Sequence, residues 1–266
     1  ADGHFRPVVE FMYADFIYVA ADQVFNQIAK MRHMFGGDLP VPLVLRAKVA
    51  AKSGYGSQHS MDPSGLFTQF PGWRIVAPST PYDYVGLMNS ALLCEDPVLV
   101  VEHLDLYQST GPAPSQDLDY FIPLGKAKVV RKGEDFTVLA SLAMVTPCVE
   151  MADESGMDAE VIDLRTLDRA NLDWKTIGDS VRKTNNVLIV EQGTQGTSFG
   201  GAIADELHRR FFDYLDQPVK RVVGGEAAPT ISKVLDLAAN ASNEDILVGY
   251  KELMTDAGRS IGAGVA

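Results

Sequence analysis

Val41-Pro42-Leu43-Val44-Leu45, followed after a short connecting run by Ser53-Gly54-Tyr55-Gly56-Ser57-Gln58-His59-Ser60-Met61-Asp62-Pro63, is the stretch on which the fold turns. Five consecutive apolar residues with no polar alternation read as a strand buried on both faces, the pattern of a parallel sheet covered by helices. The segment that leaves this strand is polar, carries two glycines and presents one histidine ahead of a helix-like segment at 66–70. A loop of this kind at a sheet edge is a common way to place a titratable group. His59 is therefore the first candidate for chemistry, against the plainer reading that it only hydrogen-bonds its own loop.

The same alternation runs outward in both directions. Upstream, Pro7-Val8-Val9-Glu10-Phe11-Met12-Tyr13 reads as another strand buried on both faces, with Glu10 a buried acid; so early a strand suggests that the chain starts inside a domain. A helix follows over 21–35, where Val24, Phe25, Ile28, Met31 and Met34 recur at spacings of three and four and Gly36-Gly37 ends the pattern. Downstream, strands are expected at 74–77 and 97–102, with a helix between them opened by Thr80-Pro81. Residues 108–119, rich in Ser, Thr, Gly, Pro and acids, form a linker. Beyond it the alternation resumes with strands near 136–140, 159–164, 186–191 and 219–223 and helices near 147–154, 174–183, 202–212 and 244–254. Parallel strands joined by crossover helices, in two α/β units, is the fold class these segments imply.

Composition narrows the function. A chain of 266 residues, 46% hydrophobic and 22% charged, suits two soluble domains, and a net charge of -12 argues against a nucleic-acid partner. No apolar run approaches the roughly 20 residues that span a bilayer, so no membrane role is expected. Cys94 and Cys148 lie far apart in apolar segments, which suits a reducing, cytoplasmic compartment and gives no metal cluster. His4, His33, His103 and His208 have no ligand partners at metal spacing and read as structural or exposed. The glycine-rich run 193–201 lacks the G-x-G-x-x-G spacing of a dinucleotide site and reads as a packing or interface loop. Glu102, ending a strand, is a candidate acid beside its structural reading.

Taken in order, the phrases Arg6-Pro7-Val8-Val9-Glu10-Phe11-Met12, Gly56-Ser57-Gln58-His59-Ser60, Pro71-Gly72-Trp73-Arg74-Ile75-Val76-Ala77-Pro78 and Val161-Ile162-Asp163-Leu164-Arg165-Thr166-Leu167 form one set with Asp213-Tyr214-Leu215-Asp216-Gln217-Pro218-Val219. The chain thereby resembles the beta subunit of the thiamine-diphosphate-dependent decarboxylating component of 2-oxo acid dehydrogenase complexes, the pyruvate, branched-chain 2-oxo acid and acetoin types. The resemblance implies a transketolase-like pyrimidine-binding domain over 1–112, N-terminally incomplete, a linker over 113–124 and a transketolase C-terminal domain over 125–266, each a mainly parallel sheet flanked by helices.

By the same resemblance Met12 and Phe16 contact the aminopyrimidine of thiamine diphosphate and His59 faces the substrate side. A monovalent-cation loop falls on Leu92, Cys94 and Asp96. The cofactor is shared with an alpha subunit, which supplies the diphosphate and magnesium site. A second beta subunit completes an α2β2 assembly, with the helix over 22–34 at the beta–beta contact. A lipoyl acyltransferase component receives the acyl group after oxidative decarboxylation of pyruvate or a related 2-oxo acid. The family's pyrimidine-binding glutamate would precede Arg6, so the chain alone is expected to be inactive. The other readings are an acetoin dehydrogenase beta subunit, a non-catalytic assembly module and a flavodoxin-like or dinucleotide oxidoreductase. One departure stands out: Ala47-Lys48-Val49-Ala50-Ala51-Lys52 lies where many family members are rich in Gly and Pro.

Overall fold

The computed structural model describes residues 5–111, 117–194, 198–226 and 228–258. His4, the centre of the expected linker, the middle of the glycine-rich run 193–201 and the tail after Gly258 lie outside the described residues.

Two sheets carry the chain. The first contains β1 (Val8–Phe11), β2 (Val44–Val49), β3 (Arg74–Val76) and β4 (Val98–His103) in the order β1-β2-β4-β3, all parallel. The second contains β5 (Lys128–Arg131), β6 (Phe136–Ala140), β7 (Ala159–Asp163), β8 (Val187–Thr194) and β9 (Lys220–Gly224) in the order β5-β7-β6-β8-β9. Only β5 is antiparallel there. Helices between strands are α1 (Ala29–Met34), α2 (Ser64–Phe67), α3 (Pro81–Leu93), α4 (Val145–Ser155), α5 (Trp174–Thr184), α6 (Gly200–Phe211), α7 (Lys233–Ala238) and α8 (Asn243–Asp256).

Strand parity builds the core. Along β4, Val98 and Val100 pack on the α3 side with Leu87 and Ala91, while Leu99 and Val101 face a second cluster. That second cluster is common to both sheets: Leu45, Phe67, Trp73 and Ile75 join Leu139, Ile162, Ile189 and Phe211. The outer face of the second sheet packs Phe136, Val138 and Val161 against α4 and α8, with Tyr250 donating to the Cys148 carbonyl at 2.8 Å. Central strands buried on both faces are what continuous apolar runs dictate.

A backbone seam joins the two units. The chain after β7 lies antiparallel to β3, with Ala77 N donating to Arg165 O at 2.8 Å and Leu167 N to Ile75 O at 2.9 Å. Side chains reinforce it: Arg74 pairs with Asp168 at 3.0 Å, Ser79 donates to Asp163 at 2.5 Å, and Arg165, held at φ +55°, reaches Asp83. Burial pushes the Asp163 carboxyl up to about 6, against the hydrogen bond from Ser79.

Several sequence expectations need correction. β1 forms but is not buried: Val8 is 49% and Val9 40% exposed, because it is an edge strand paired on one side only, and Glu10 is exposed with it. β2 begins at Val44 rather than Val41 and runs on to Val49, since Leu45, Ala47 and Val49 alternate into the core while Arg46 and Lys48 share the face that carries Glu102. The helix expected over 21–35 is wound in π fashion over Asp22–Ile28 before becoming α1, and Val24 offers its carbonyl to the Trp73 indole at 3.1 Å. Its Val24 and Phe25 are buried in the chain's own core, while Met34 and Phe35 at its far end are exposed.

Candidate active site

β2 ends at Val49, and the loop that follows turns back sharply at its carboxyl edge. Lys52, Gly54 and Gly56 all take positive φ, +67°, +73° and +85°, a geometry glycine adopts without cost. The loop is closed by its own backbone, Ala50 N donating to His59 O at 2.9 Å and His59 N to Gly56 O at 3.2 Å. Distant residues pin it at both ends: Gly54 N donates to Asp236 of α7 at 2.8 Å, and Met61 N to Asp15 at 3.2 Å. A Cβ on Gly56 would stand 3.2 Å from Ile231, so the loop also packs closely against the second unit.

His59 is framed by rings. Tyr13 meets it edge-on with centroids 4.4 Å apart, Phe16 edge-on at 5.4 Å, and Tyr55 at 6.0 Å. Its Nδ1 is buried and has no hydrogen-bond partner among the described residues. The plainer reading, a histidine satisfied by its own loop, therefore fails for the side chain: the loop uses the His59 backbone and leaves the imidazole nitrogen unengaged. Beside it, burial pushes the Asp15 carboxyl up, against the hydrogen bond from Met61 and the field of His59.

Phe16 meets His59 and leaves 41% of its surface open to solvent. Met12 follows β1 at the same sheet edge and is 66% exposed, but makes no ring contact with His59. Tyr13, Tyr55 and Asp15 were not singled out from the sequence. Tyr13 and Asp15 stand between Met12 and Phe16, and Tyr55 stands between the two loop glycines, so their positions were the available signal.

A second polar cluster lies on the first sheet. Arg46 grips Glu102 with two bonds, Nε to Oε1 at 2.7 Å and Nη2 to Oε2 at 3.1 Å, and reaches Glu10 at 3.2 Å. The Tyr84 and Tyr107 hydroxyls donate to the same carboxylate, each at 2.5 Å. Burial pushes the Glu102 carboxyl up, but the bonds from Arg46, Tyr107 and Tyr84 together outweigh it and hold the group below its ordinary range. Glu102 is therefore a paired structural anion, not a free acid. Arg46, Tyr84, Glu102 and Tyr107 line a cavity of ≈ 560 Å³.

Other candidates separate from this edge. Leu92, Cys94 and Asp96 lie at the end of α3; the Cys94 carbonyl accepts from Arg6 at 3.0 Å, and Asp96 pairs with Arg32 at 2.5 Å. Among the described residues no group of three or more His, Cys, Asp and Glu is arranged to hold a metal ion. His103 is buried, its Nδ1 accepting from Asp105 N at 3.2 Å. The start of α6 is occupied internally, Gly200 N donating to Glu191 at 2.7 Å, with Arg221 on the same carboxylate at 2.9 Å.

Comparison with known proteins adds family relationships to this geometry. Residues 1–110 match the transketolase pyrimidine-binding domain and residues 125–246 the transketolase C-terminal domain. The acetoin:2,6-dichlorophenolindophenol oxidoreductase subunit beta of Bacillus subtilis is 40% identical over 235 residues, 87% of this chain and 67% of that one. The mitochondrial pyruvate dehydrogenase E1 component subunit beta of Dictyostelium discoideum is 34% identical over 253 residues, 93% and 70% of the two chains. The 2-oxoisovalerate dehydrogenase subunit beta of Pseudomonas aeruginosa is 37% identical over 234 residues, 82% and 66%. The chain spans about two thirds of the length of these relatives. A split-gene transketolase, solved as an inactive beta4 tetramer, shares the fold with a TM-score of 0.74 at 20% identity, over 94% of this chain and 76% of that one.

Proposed function

The chain belongs to the transketolase-like family of beta subunits of 2-oxo acid dehydrogenases, and from that membership we propose that it supplies half of a thiamine-diphosphate site that decarboxylates a 2-oxo acid and passes the acyl group to a lipoyl carrier. The observation that carries this reading is the His59 imidazole, framed by Tyr13, Phe16 and Tyr55 at the carboxyl edge of a parallel sheet with Nδ1 unpartnered. Open α/β sheets bind ligands at that edge. The family depends on thiamine diphosphate, which when bound supplies the electron sink that lets a 2-oxo acid lose its carboxylate.

The residues present fit such a group. Phe16 and Met12 both offer exposed apolar surface, suited to the flat face of a pyrimidine ring. His59 is the group of this chain able to hold or move a proton there, and its ring frame fixes the imidazole so that reorganisation during the reaction is small. The loop hydrogen bonds to Asp236 and Asp15 hold that frame in register with the rest of the chain. We assign the diphosphate and magnesium contacts to an alpha-type partner subunit, with two copies of each chain in the assembly and a lipoyl acyltransferase as acceptor.

The test is co-expression with an alpha-type subunit, followed by assays of substrate-dependent dichlorophenolindophenol reduction over pyruvate, 2-oxobutyrate, 2-oxoglutarate, a branched-chain 2-oxo acid and acetoin. Turnover of at least one 2-oxo acid is expected. Turnover of acetoin alone would replace the 2-oxo acid reading, and an assembled complex inactive on all five would overturn it.

A further inference from the structure

Lys48 places its ammonium beside the candidate active site. In β2 it shares a sheet face with Arg46, and its registered neighbour on β4 is Glu102. That carboxylate is already saturated by four donors, two from Arg46 and one each from Tyr84 and Tyr107. Lys48 Nζ instead lies over two rings, 5.1 Å from the Tyr13 centroid and 5.5 Å from that of Tyr107. Among the described residues no carboxylate comes within ion-pair distance of it, although the chain carries 35 acidic and 23 basic residues.

Contact with two ring faces holds an ammonium only loosely. They orient the charge and strip part of its water, yet leave it able to take an anion. Tyr13 is also the ring that meets His59 edge-on at 4.4 Å, so the cation stands one ring away from the imidazole. The anion it would meet is not the carboxylate lost in the reaction. That carboxylate gives up its charge as carbon dioxide departs, and a cation upon it would stabilise the ground state more than the transition state.

We propose that Lys48 is a specificity-determining residue whose ammonium recognises a second carboxylate, at the end of a dicarboxylic 2-oxo acid remote from the reacting carbonyl. This rests on the decarboxylase reading above.

The test uses the assembly with the alpha-type subunit and two independent readouts. In calorimetric titrations glutarate should bind at least about tenfold more tightly than butyrate, the scale of one charge-assisted hydrogen bond. Lys48→Met should bring the two within about threefold, and Lys48→Arg should keep most of the preference. In turnover, the ratio of kcat/KM for 2-oxoglutarate over 2-oxobutyrate should fall about tenfold or more in Lys48→Met. An unchanged ratio in both measurements overturns the proposal, as does a Lys48→Met variant whose loss falls on pyrophosphate or thiamine diphosphate affinity. Lys48-dependent glutarate binding in an assembly that turns over no 2-oxo acid would support the proposal while defeating the decarboxylase reading. Turnover of 2-oxobutyrate with no Lys48-dependent preference would do the reverse.

Discussion

At the scale of single residues the account stands on His59. In the assembly with its alpha-type partner, His59→Ala should lower substrate-dependent decarboxylation roughly a hundredfold, the usual loss for one positioned donor or proton-transfer group. Thiamine diphosphate affinity should change little, since the apolar contacts assigned to Met12 and Phe16 remain. His59→Asn keeps a donor but exchanges no proton at neutral pH, so recovery in that variant would assign charge stabilisation and its absence proton transfer. Asp163 makes a separate prediction at the seam. A carboxyl raised to about 6 by burial binds its proton in the folded state where the unfolded chain, near 3.8, has lost it. Stability should therefore fall as pH rises from about 4 to 6, by on the order of 2 kcal/mol, and Asp163→Asn should flatten that slope in denaturant titrations. His59 and Phe16 were legible because a lone histidine in a glycine loop and a familiar phrase marked them. Tyr13, Tyr55 and Lys48 were not, because ring contacts across two loops and a strand depend on folding and leave no periodic trace.

At the scale of elements, the central strands and long helices were readable because each is a continuous apolar run or a repeat of three and four with end signals. Thr80-Pro81 opens α3 as expected, Thr80 accepting from Asp83 N at 3.1 Å. Strand β5 and helix α7 were missed: β5 is a short edge strand with exposed Lys128 and Val129, and the exposed Val234, Leu235 and Leu237 give α7 no inward apolar stripe. Strand β1 was found but misplaced in depth, since apolarity alone cannot distinguish a strand covered by its own chain from one awaiting another. The close packing of the π-wound turn gives an element-level prediction. A Cβ on Gly72 would lie 1.7 Å from the Ala29 carbonyl oxygen and 2.7 Å from its carbon, both backbone atoms. Gly72→Ala should cost about 3 kcal/mol or more and shift Trp73 fluorescence, whereas Gly37→Ala, with open space around it, should cost only the left-handed strain at φ +93°. Equal stability of Gly72→Ala and the parent chain would contradict the packing described at Trp73.

At the scale of the whole molecule, one run of uncovered apolar residues lies on the first sheet's edge strand and the turn that follows it. Val8, Met12, Tyr18 and Val19 are 49%, 66%, 58% and 88% exposed, contiguous in sequence with Phe16. An exposed apolar stretch of this kind suits the face of a partner chain. Hydrogen exchange at residues 8–20 should slow markedly when an alpha-type chain is added, and unchanged exchange in a formed complex would place the contact elsewhere. The central claim, that this chain holds half of a cofactor site which another subunit completes, has one direct measurement: calorimetric titration of thiamine diphosphate with magnesium into the chain alone and into its complex with an alpha-type subunit. The account predicts micromolar or tighter binding by the complex and none of that strength by the lone chain; micromolar binding by the lone chain, or its absence from the complex, would contradict it.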